Sequence, residues 1–423
     1  MTELTDNVVL QVLPTTQFKT IQVVVDFATP LTQQNVHARS LLSYLQAVSS
    51  AQYADQQGIA GALIELYGAQ FETDVLRIGN THHVRFSLQI PAPQYVGADA
   101  TLLTDALTFL RDMIFAPRVA ADGLVDAGIF AQERQSLQHD LASLADDKRR
   151  YAVQQLKTYT YSKEVLSWST SGTQTGVAAL TREAVTQAWR DMLAFDAVQI
   201  LVNGDVDQHE IAEHIKDWPL AARRSQKLAP FYRQGLRPTT VEMSETQADL
   251  QQAVLTLAYH VDLDPASDER FVALVFNSLF GGSALSLLFT NVREAASLAY
   301  AVSSKYEHDT GFMRVVAGLD ATQVEAADAL IQAQLTLVRN GEFSERLLES
   351  IKNGLINDYL SQQDSPNAQV EQAFMRALTQ RTTPLETWVA MVKNVSREAV
   401  ADLAQRVILQ TKFVLNPQNA ENK

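Results

Sequence analysis

Residues 277–320 read NSLFGGSALSLLFTNVREAASLAYAVSSKYEHDTGFMRVVAGLD, and the order of signals in this stretch decides the fold. An apolar run ends at Gly281-Gly282, where a turn is expected because paired glycines leave helical geometry at little steric cost. A second helix is expected from Ser283, with Leu285, Leu288, Phe289 and Val292 on one side. Strand-like runs then start at Leu298 and Gly311. The stretch is therefore a helix, glycine turn, helix, strand, hairpin, strand unit. Arg293 falls just before Ala295-Ala296-Ser297, where the second helix should fray, and Tyr300 enters the next strand. A guanidinium fork donates to carbonyls or carboxylates, and a phenol donates or accepts, so the two suit a peptide backbone. The same spacing also fits an Arg on a solvated helix end and a Tyr packed at a strand edge.

Outward from this stretch, composition narrows the function classes. A chain of 423 residues is too long for one ordinary core, so at least two domains are expected. Hydrophobic residues make up 46% and charged residues 19%, the balance of a soluble globular protein. The net charge of -14, from 34 basic against 48 acidic residues, argues against nucleic acid or an anionic membrane as partner. The absence of Cys removes disulfides, thiolate nucleophiles and Cys-type zinc sites, and it fits a cytoplasmic protein. No signal-peptide pattern opens the sequence, and no apolar window is long enough to span a bilayer.

Along the chain, residues 8–14 and 20–27 read as strands, the second rich in β-branched residues. Helices are expected over residues 35–49, where Leu41, Leu42, Leu45 and Val48 recur at helical spacing, and over 56–66, ending at Tyr67-Gly68. A hairpin follows, residues 69–76 and 81–90, turning at Gly79-Asn80. Helices over residues 102–115, 128–156 and 182–193 precede a strand at 197–203. The second half repeats this order: a strand at residues 253–259, two helices split at Gly281-Gly282, a hairpin at 298–319, further helices, and a closing strand at 407–415. The fold class is therefore α+β, with two homologous α/β sandwich repeats, each a mostly antiparallel sheet with helices on one face, related by a pseudo-twofold. The expected division is a first repeat over residues 1–217, a linker over 218–243 carrying Pro219, Pro230 and Pro238, and a second repeat over 244–423.

The run LFGGSALSLLFTNVREAASLAYAVSSKYEHDTGF resembles the second-repeat signature of the pitrilysin/insulinase (inverzincin) metallopeptidases, in which an Arg and a Tyr hold substrate. The resemblance implies that Arg293 and Tyr300 bind a peptide. In that family the zinc motif His-x-x-Glu-His lies on the first long helix: two imidazoles one turn apart bind metal, and the Glu activates water. Counted back from Tyr67-Gly68, the matching pentapeptide is Leu41, Leu42, Ser43, Tyr44, Leu45. Leu41 and Leu45 stand at the ligand positions and Tyr44 at the base position. An aliphatic side chain cannot ligate zinc, and a phenol is a poor base at neutral pH. The family's further carboxylate comes from a helix resembling FAQERQSLQHDLASLADDK, where Glu133 and Asp140 lie seven apart on one face. The resemblance thus implies a degenerate zinc site at Leu41, Tyr44, Leu45 and Asp140.

No other hydrolytic or metal constellation replaces it. His37, His82, His83, His139, His209, His214, His260 and His308 have no ligand spacing; His82 and His83 are strand neighbours and should point to opposite faces. No Gly-x-Ser-x-Gly elbow or Gly-x-x-x-x-Gly-Lys phosphate loop is present. The resemblance is to the non-catalytic subunit of the small bacterial heterodimeric type. It implies a homologous His-x-x-Glu-His-bearing partner that carries the zinc, no cofactor in this chain, and a peptide substrate. A homodimeric, non-enzymatic scaffold or peptide-binding protein is the alternative. Neither reading involves nucleic acid or a membrane, and both place the protein in the cytoplasm.

Overall fold

Strand alternation builds the centre of the first unit. In Thr20–Pro30, Ile21, Val23, Val25 and Phe27 enter the main core, whereas Val24 joins a separate apolar cluster on the opposite face. The computed structural model describes residues 2–98, 101–220, 228–248 and 250–418. In the first unit the strands are β1 (Thr2–Thr5), β2 (Val8–Pro14), β3 (Thr20–Pro30), β4 (Gln70–Ile78), β5 (Thr81–Pro91) and β6 (Ala197–Gly204). They form one sheet in the order β1-β2-β6-β3-β5-β4, antiparallel except for the parallel pair β2 and β6. In the second unit β7 (Val241–Gln247), β8 (Ala253–Val261), β9 (Ala301–Glu307), β10 (Phe312–Leu319) and β11 (Val407–Pro417) run in the order β7-β11-β8-β10-β9. Here too a single pair, β7 with β11, is parallel.

The two orders are the same plan. Read in chain order, β2 to β6 occupy the same sheet positions as β7 to β11, and β1 is an addition on the edge of β2. An α+β fold of two repeats follows from this topology. The expected helix over residues 35–49 is Gln33–Val48, and the expected hairpin pairs β4 with β5. Two expected helices differ in detail. The stretch over residues 128–156 is broken into Ala127–Ser143 and Lys148–Thr160, because Asp147 caps the second by accepting from the Arg149 and Arg150 amides. The helix expected from Ser283 begins at Leu288 and runs to Ala295 with π geometry, after a π turn at Ser278–Gly282.

The compact units are not continuous in sequence, and here the structure departs from the division 1–217, 218–243, 244–423. One unit comprises Met1–Ala142, Ser169–Pro230 and Gln362–Arg381, and the other Ser143–Trp168, Phe231–Ser361 and Thr382–Lys423. Helix Pro366–Thr379, from late in the chain, lies in the first unit, where Val370, Ala373, Phe374 and Leu378 cover Val24 and Leu201 on the reverse face of the sheet. Helix Lys148–Thr160, from early in the chain, lies in the second, and Tyr159 stacks on Phe413 of β11 with ring centroids 6.1 Å apart. Each sheet needs apolar cover on its second face, and a helix from the other half of the sequence supplies it. Within residues 218–243, Trp218 is buried in the first core and residues 241–243 begin β7. No described helix is long and apolar enough to cross a membrane.

Candidate functional site

Helix Gln33–Val48 carries the first group of candidate residues. Its start is fixed by reciprocal bonds: the Thr32 hydroxyl accepts from the Asn35 amide, and the Asn35 side chain accepts from the Thr32 amide. Leu41 and Leu45 are 0% and 6% exposed within the main core. Tyr44 is half-buried, and its hydroxyl donates to Asp140 Oδ2 at 2.6 Å. Asp140 and Glu133 both lie on helix Ala127–Ser143, two turns apart, and Glu133 is 6% exposed. Burial pushes the Tyr44 phenol well above its usual range, and the bond to Asp140 adds to the effect. Burial likewise raises the Glu133 carboxyl, with a further push from the Asp140 charge. The structure thus brings Leu41, Tyr44, Leu45, Glu133 and Asp140 to one place. Two aliphatic chains and a phenol already bound to a carboxylate do not fit a zinc ion, which takes imidazole, thiolate or several carboxylate ligands. Among the described residues no three His, Asp or Glu side chains are grouped to hold a metal.

The same helix is tied down from its other side. Arg39, 3% exposed, donates Nη1 to Asp196 Oδ2 at 2.6 Å, Nη2 to the Phe27 carbonyl at 2.8 Å and Nε to His82 Nδ1 at 3.2 Å. Burial, reinforced by the Arg39 charge, holds the His82 imidazole well below its ordinary value. His83, next to it, turns to the opposite face of β5, 2.7 Å from Asp26 Oδ1 through Nδ1 and 2.8 Å from the Thr81 hydroxyl through Nε2. Arg85 joins the cluster at 3.1 Å from Asp26 Oδ2, pairs with Glu371 and lies 4.3 Å from the Phe374 ring. Burial alone would raise the Asp26 carboxyl, but His83 and Arg85 together hold it below the usual range. The network Asp26, His83, Arg85 and Glu371 is not legible from spacing, because 57 residues separate Asp26 from His83 and 286 separate Arg85 from Glu371. The one signal of it in the sequence is polar residues at alternate positions of two otherwise apolar strands.

Arg293 and Tyr300 belong to the second unit. The Ser278–Gly282 turn packs so tightly on β9 that a Cβ on Gly281 would lie 2.8 Å from the Ser304 amide nitrogen. The Ser304 hydroxyl donates to Asn277 Oδ1 at 3.0 Å, locking the turn to the strand. On Leu288–Ala295 the Asn291 side-chain amide donates to Gln334 at 2.6 Å, and Val292 is fully buried. Arg293 then points outward, its guanidinium 4.6 Å from the Phe289 ring and 3.7 Å from Glu294, with 41% of the side chain exposed. The segment leaves the helix through Ser297 at φ 52°, a left-handed conformation unusual for a residue with a side chain. Tyr300 donates its amide to the Gly318 carbonyl at 2.9 Å and keeps 61% of its surface exposed. A short, wide helix with an anchored inner face and a strained exit thus presents a cation, and the strand entry that follows presents a phenol.

Two further histidines face threonine hydroxyls. His37 is wedged against Gly172 and Gly176 and lies 3.1 Å from the Thr173 hydroxyl, and His214 lies 3.2 Å from that of Thr104.

Comparison with known proteins adds three likenesses and one family match. The family described as Peptidase M16 inactive domain matches residues 179–355. The probable inactive metalloprotease YmfF of Bacillus subtilis (strain 168) is 27% identical over 405 residues, covering 96% of this chain and 94% of that protein. The crystal structure of a conserved protein from Enterococcus faecalis V583 superposes with TM-score 0.93 at 33% identity, covering 100% of this chain and 99% of that one. The peptidase M16 inactive domain structure from Pseudomonas fluorescens superposes with TM-score 0.76 at 16% identity over 97% of this chain and 95% of that one, a likeness of fold.

Proposed function

Since the chain belongs to the M16 (pitrilysin/insulinase) peptidase family as a catalytically inactive member, we propose that it pairs with a homologous subunit bearing His-x-x-Glu-His and supplies the residues that hold the peptide. One observation carries this reading. The positions that resemble the zinc motif are filled by core leucines and a carboxylate-bound tyrosine, while Arg293 and Tyr300 remain accessible on an anchored arm. With 41% of the Arg293 side chain and 61% of Tyr300 exposed, both are accessible to an external ligand. The chemistry divides between two chains. A zinc ion held by the partner would supply the Lewis acidity and the activated water, and this chain's own part is to fix the peptide backbone in position for attack. Arg293 donates to backbone carbonyls or a carboxylate, and Tyr300 adds one neutral hydrogen bond.

The test is reconstitution with the zinc-bearing homologue and a peptide turnover assay. Arg293→Ala should leave unfolding and association nearly unchanged and lower kcat/KM by roughly ten- to a hundredfold, the value of one charge-assisted bond. Tyr300→Phe should lose less. Turnover indifferent to both variants would end the proposal.

A further inference from the structure

The two repeats share a plan, and they differ sharply at one place. In the first repeat the edge of β2 is covered by β1, which pairs with it antiparallel, and Ile211 and Ile215 of helix Gln208–Ile215 enter the same core as Val8 and Leu10. The equivalent strand of the second repeat is β7, which among the described residues pairs with β11 only. Register carries the comparison to single residues. Val25 and Leu257 are the third core-facing residues of the two central strands; Val25 lies opposite Ile200, which lies opposite Leu10. Leu257 lies opposite Lys412, which lies opposite Glu242. An apolar pair, Leu10 and Ile200, is thus replaced by a charged pair, Glu242 and Lys412.

The consequence is an open cavity of about 400 Å³ beside β7, where Glu242 and Ser244 are exposed and Lys412, Val414, Ala321, Val324 and Glu325 complete the lining. Lys412 is already satisfied: it lies 2.7 Å from Asp328 and 3.7 Å from Glu325, and is itself 9% exposed. Three carboxylates, Glu242, Glu325 and Asp328, face one ammonium, so the cavity carries an excess of negative charge. Glu245 is bound by the Tyr151 hydroxyl at 2.8 Å, which leaves Glu242 as the acid on β7 nearest the cavity.

We infer that β7 and this cavity form a docking site for an extended, basic segment of a partner protein, which adds to the sheet as β1 adds to β2 and places a Lys or Arg against Glu242 and Glu325. Backbone pairing supplies the affinity and the acidic cavity selects the side chain. A second copy of this chain is a poor occupant, because pairing β7 with itself sets Glu242 and Glu245 of both strands in one ribbon. The site lies on the opposite edge of the sheet from β9, which follows Tyr300, and it does not depend on the peptide-holding role of Arg293.

The probe is a blocked peptide of alternating threonine and lysine, about as long as β7, offered to the full chain. Fluorescence anisotropy should show salt-sensitive binding, and hydrogen exchange of the amides over residues 241–247 should slow on addition. Glu242→Lys, and separately Glu325→Lys on the exposed start of helix Val324–Arg339, should each weaken binding by roughly tenfold or more while unfolding is unchanged. Equal binding of a threonine and glutamate peptide, or slowed exchange along β4 or β9 instead of β7, would overturn the inference. So would a Glu242→Lys variant that self-associates but binds the peptide as before, since Glu242 would then merely guard an exposed edge.

Discussion

Helix Gln33–Val48, which directly follows β3 in the first repeat, and the arm from Ser278 to Ala295, which in the second repeat follows β8 after helix Glu269–Asn277, differ in kind. The first is a regular, well-capped helix whose motif positions Leu41 and Leu45 are core residues. The second is irregular, with two π-helical segments and a left-handed Ser297, and it turns its charged residue outward. Duplicated structures need not keep duplicated sites. A helix relieved of metal ligation improves its packing by turning those positions apolar, because a buried imidazole without metal must be desolvated and hydrogen-bonded elsewhere. If the arm holds a ligand, as proposed, its strain has a reason to persist, because relaxing to a regular helix would redirect the Arg293 side chain.

Three experiments break or sharpen this contrast. The largest effect is expected at Leu41, which is fully buried. Leu41→Ala should destabilise the protein by about 2–5 kcal/mol through lost transfer and a cavity, seen as an earlier urea midpoint. A loss near zero would mean that the position is not packed and that the contrast with Arg293 is false. Next in size is Gly281→Ala, whose new methyl would meet the Ser304 nitrogen and the Leu288 side chain at 2.8 Å. Overpacking there should cost about 1–3 kcal/mol. Gly61, helical and with nothing within 4 Å of where a methyl would sit, is the control: Gly61→Ala should stabilise by roughly 0.5–1 kcal/mol.

The smallest effect is the pH dependence at Glu133. Its carboxyl is raised by burial and by Asp140, so the folded state holds the proton more tightly than the unfolded state. Stability from this group is therefore present below the ordinary Glu range and lost as pH rises through the folded value. Glu133→Gln should be close to neutral in acid and stabilising at neutral pH, in thermal melts run at both. A variant equally stable at the two pH values relative to the parent would place Glu133 in a more solvated setting than its 6% exposure indicates.

Much of this arrangement is legible in the order of residues. Leu41, Leu42 and Leu45 at helical spacing, the Gly79-Asn80 turn and the order of elements in both halves suffice for the α+β class and for two repeats, because hydrophobic periodicity is set by backbone geometry alone. Arg293 and Tyr300 are legible as a motif. Their exposure and the π-helical arm are not, since a change of hydrogen-bond register leaves the side-chain order intact. β1 and β7 leave little pattern for a related reason: edge strands need no apolar alternation, and VEMSETQ has only Val241 and Met243 as apolar residues.

The sequence by itself determined most of the helical and extended segments, though not β1, β7 or the π-helical arm, and it determined which positions could not ligate zinc and which half carried the Arg and Tyr. The tertiary structure alone decided that helix Lys148–Thr160 and helix Pro366–Thr379 cover sheets from the other half of the chain, that Tyr44 is bound to Asp140, and that among the described residues β7 pairs on one side only. An apolar stripe states that a helix must be buried but not against which of two similar sheets, and a polar side chain does not name its partner. Both choices are made by complementary surfaces that come together only when distant parts of the chain are folded side by side.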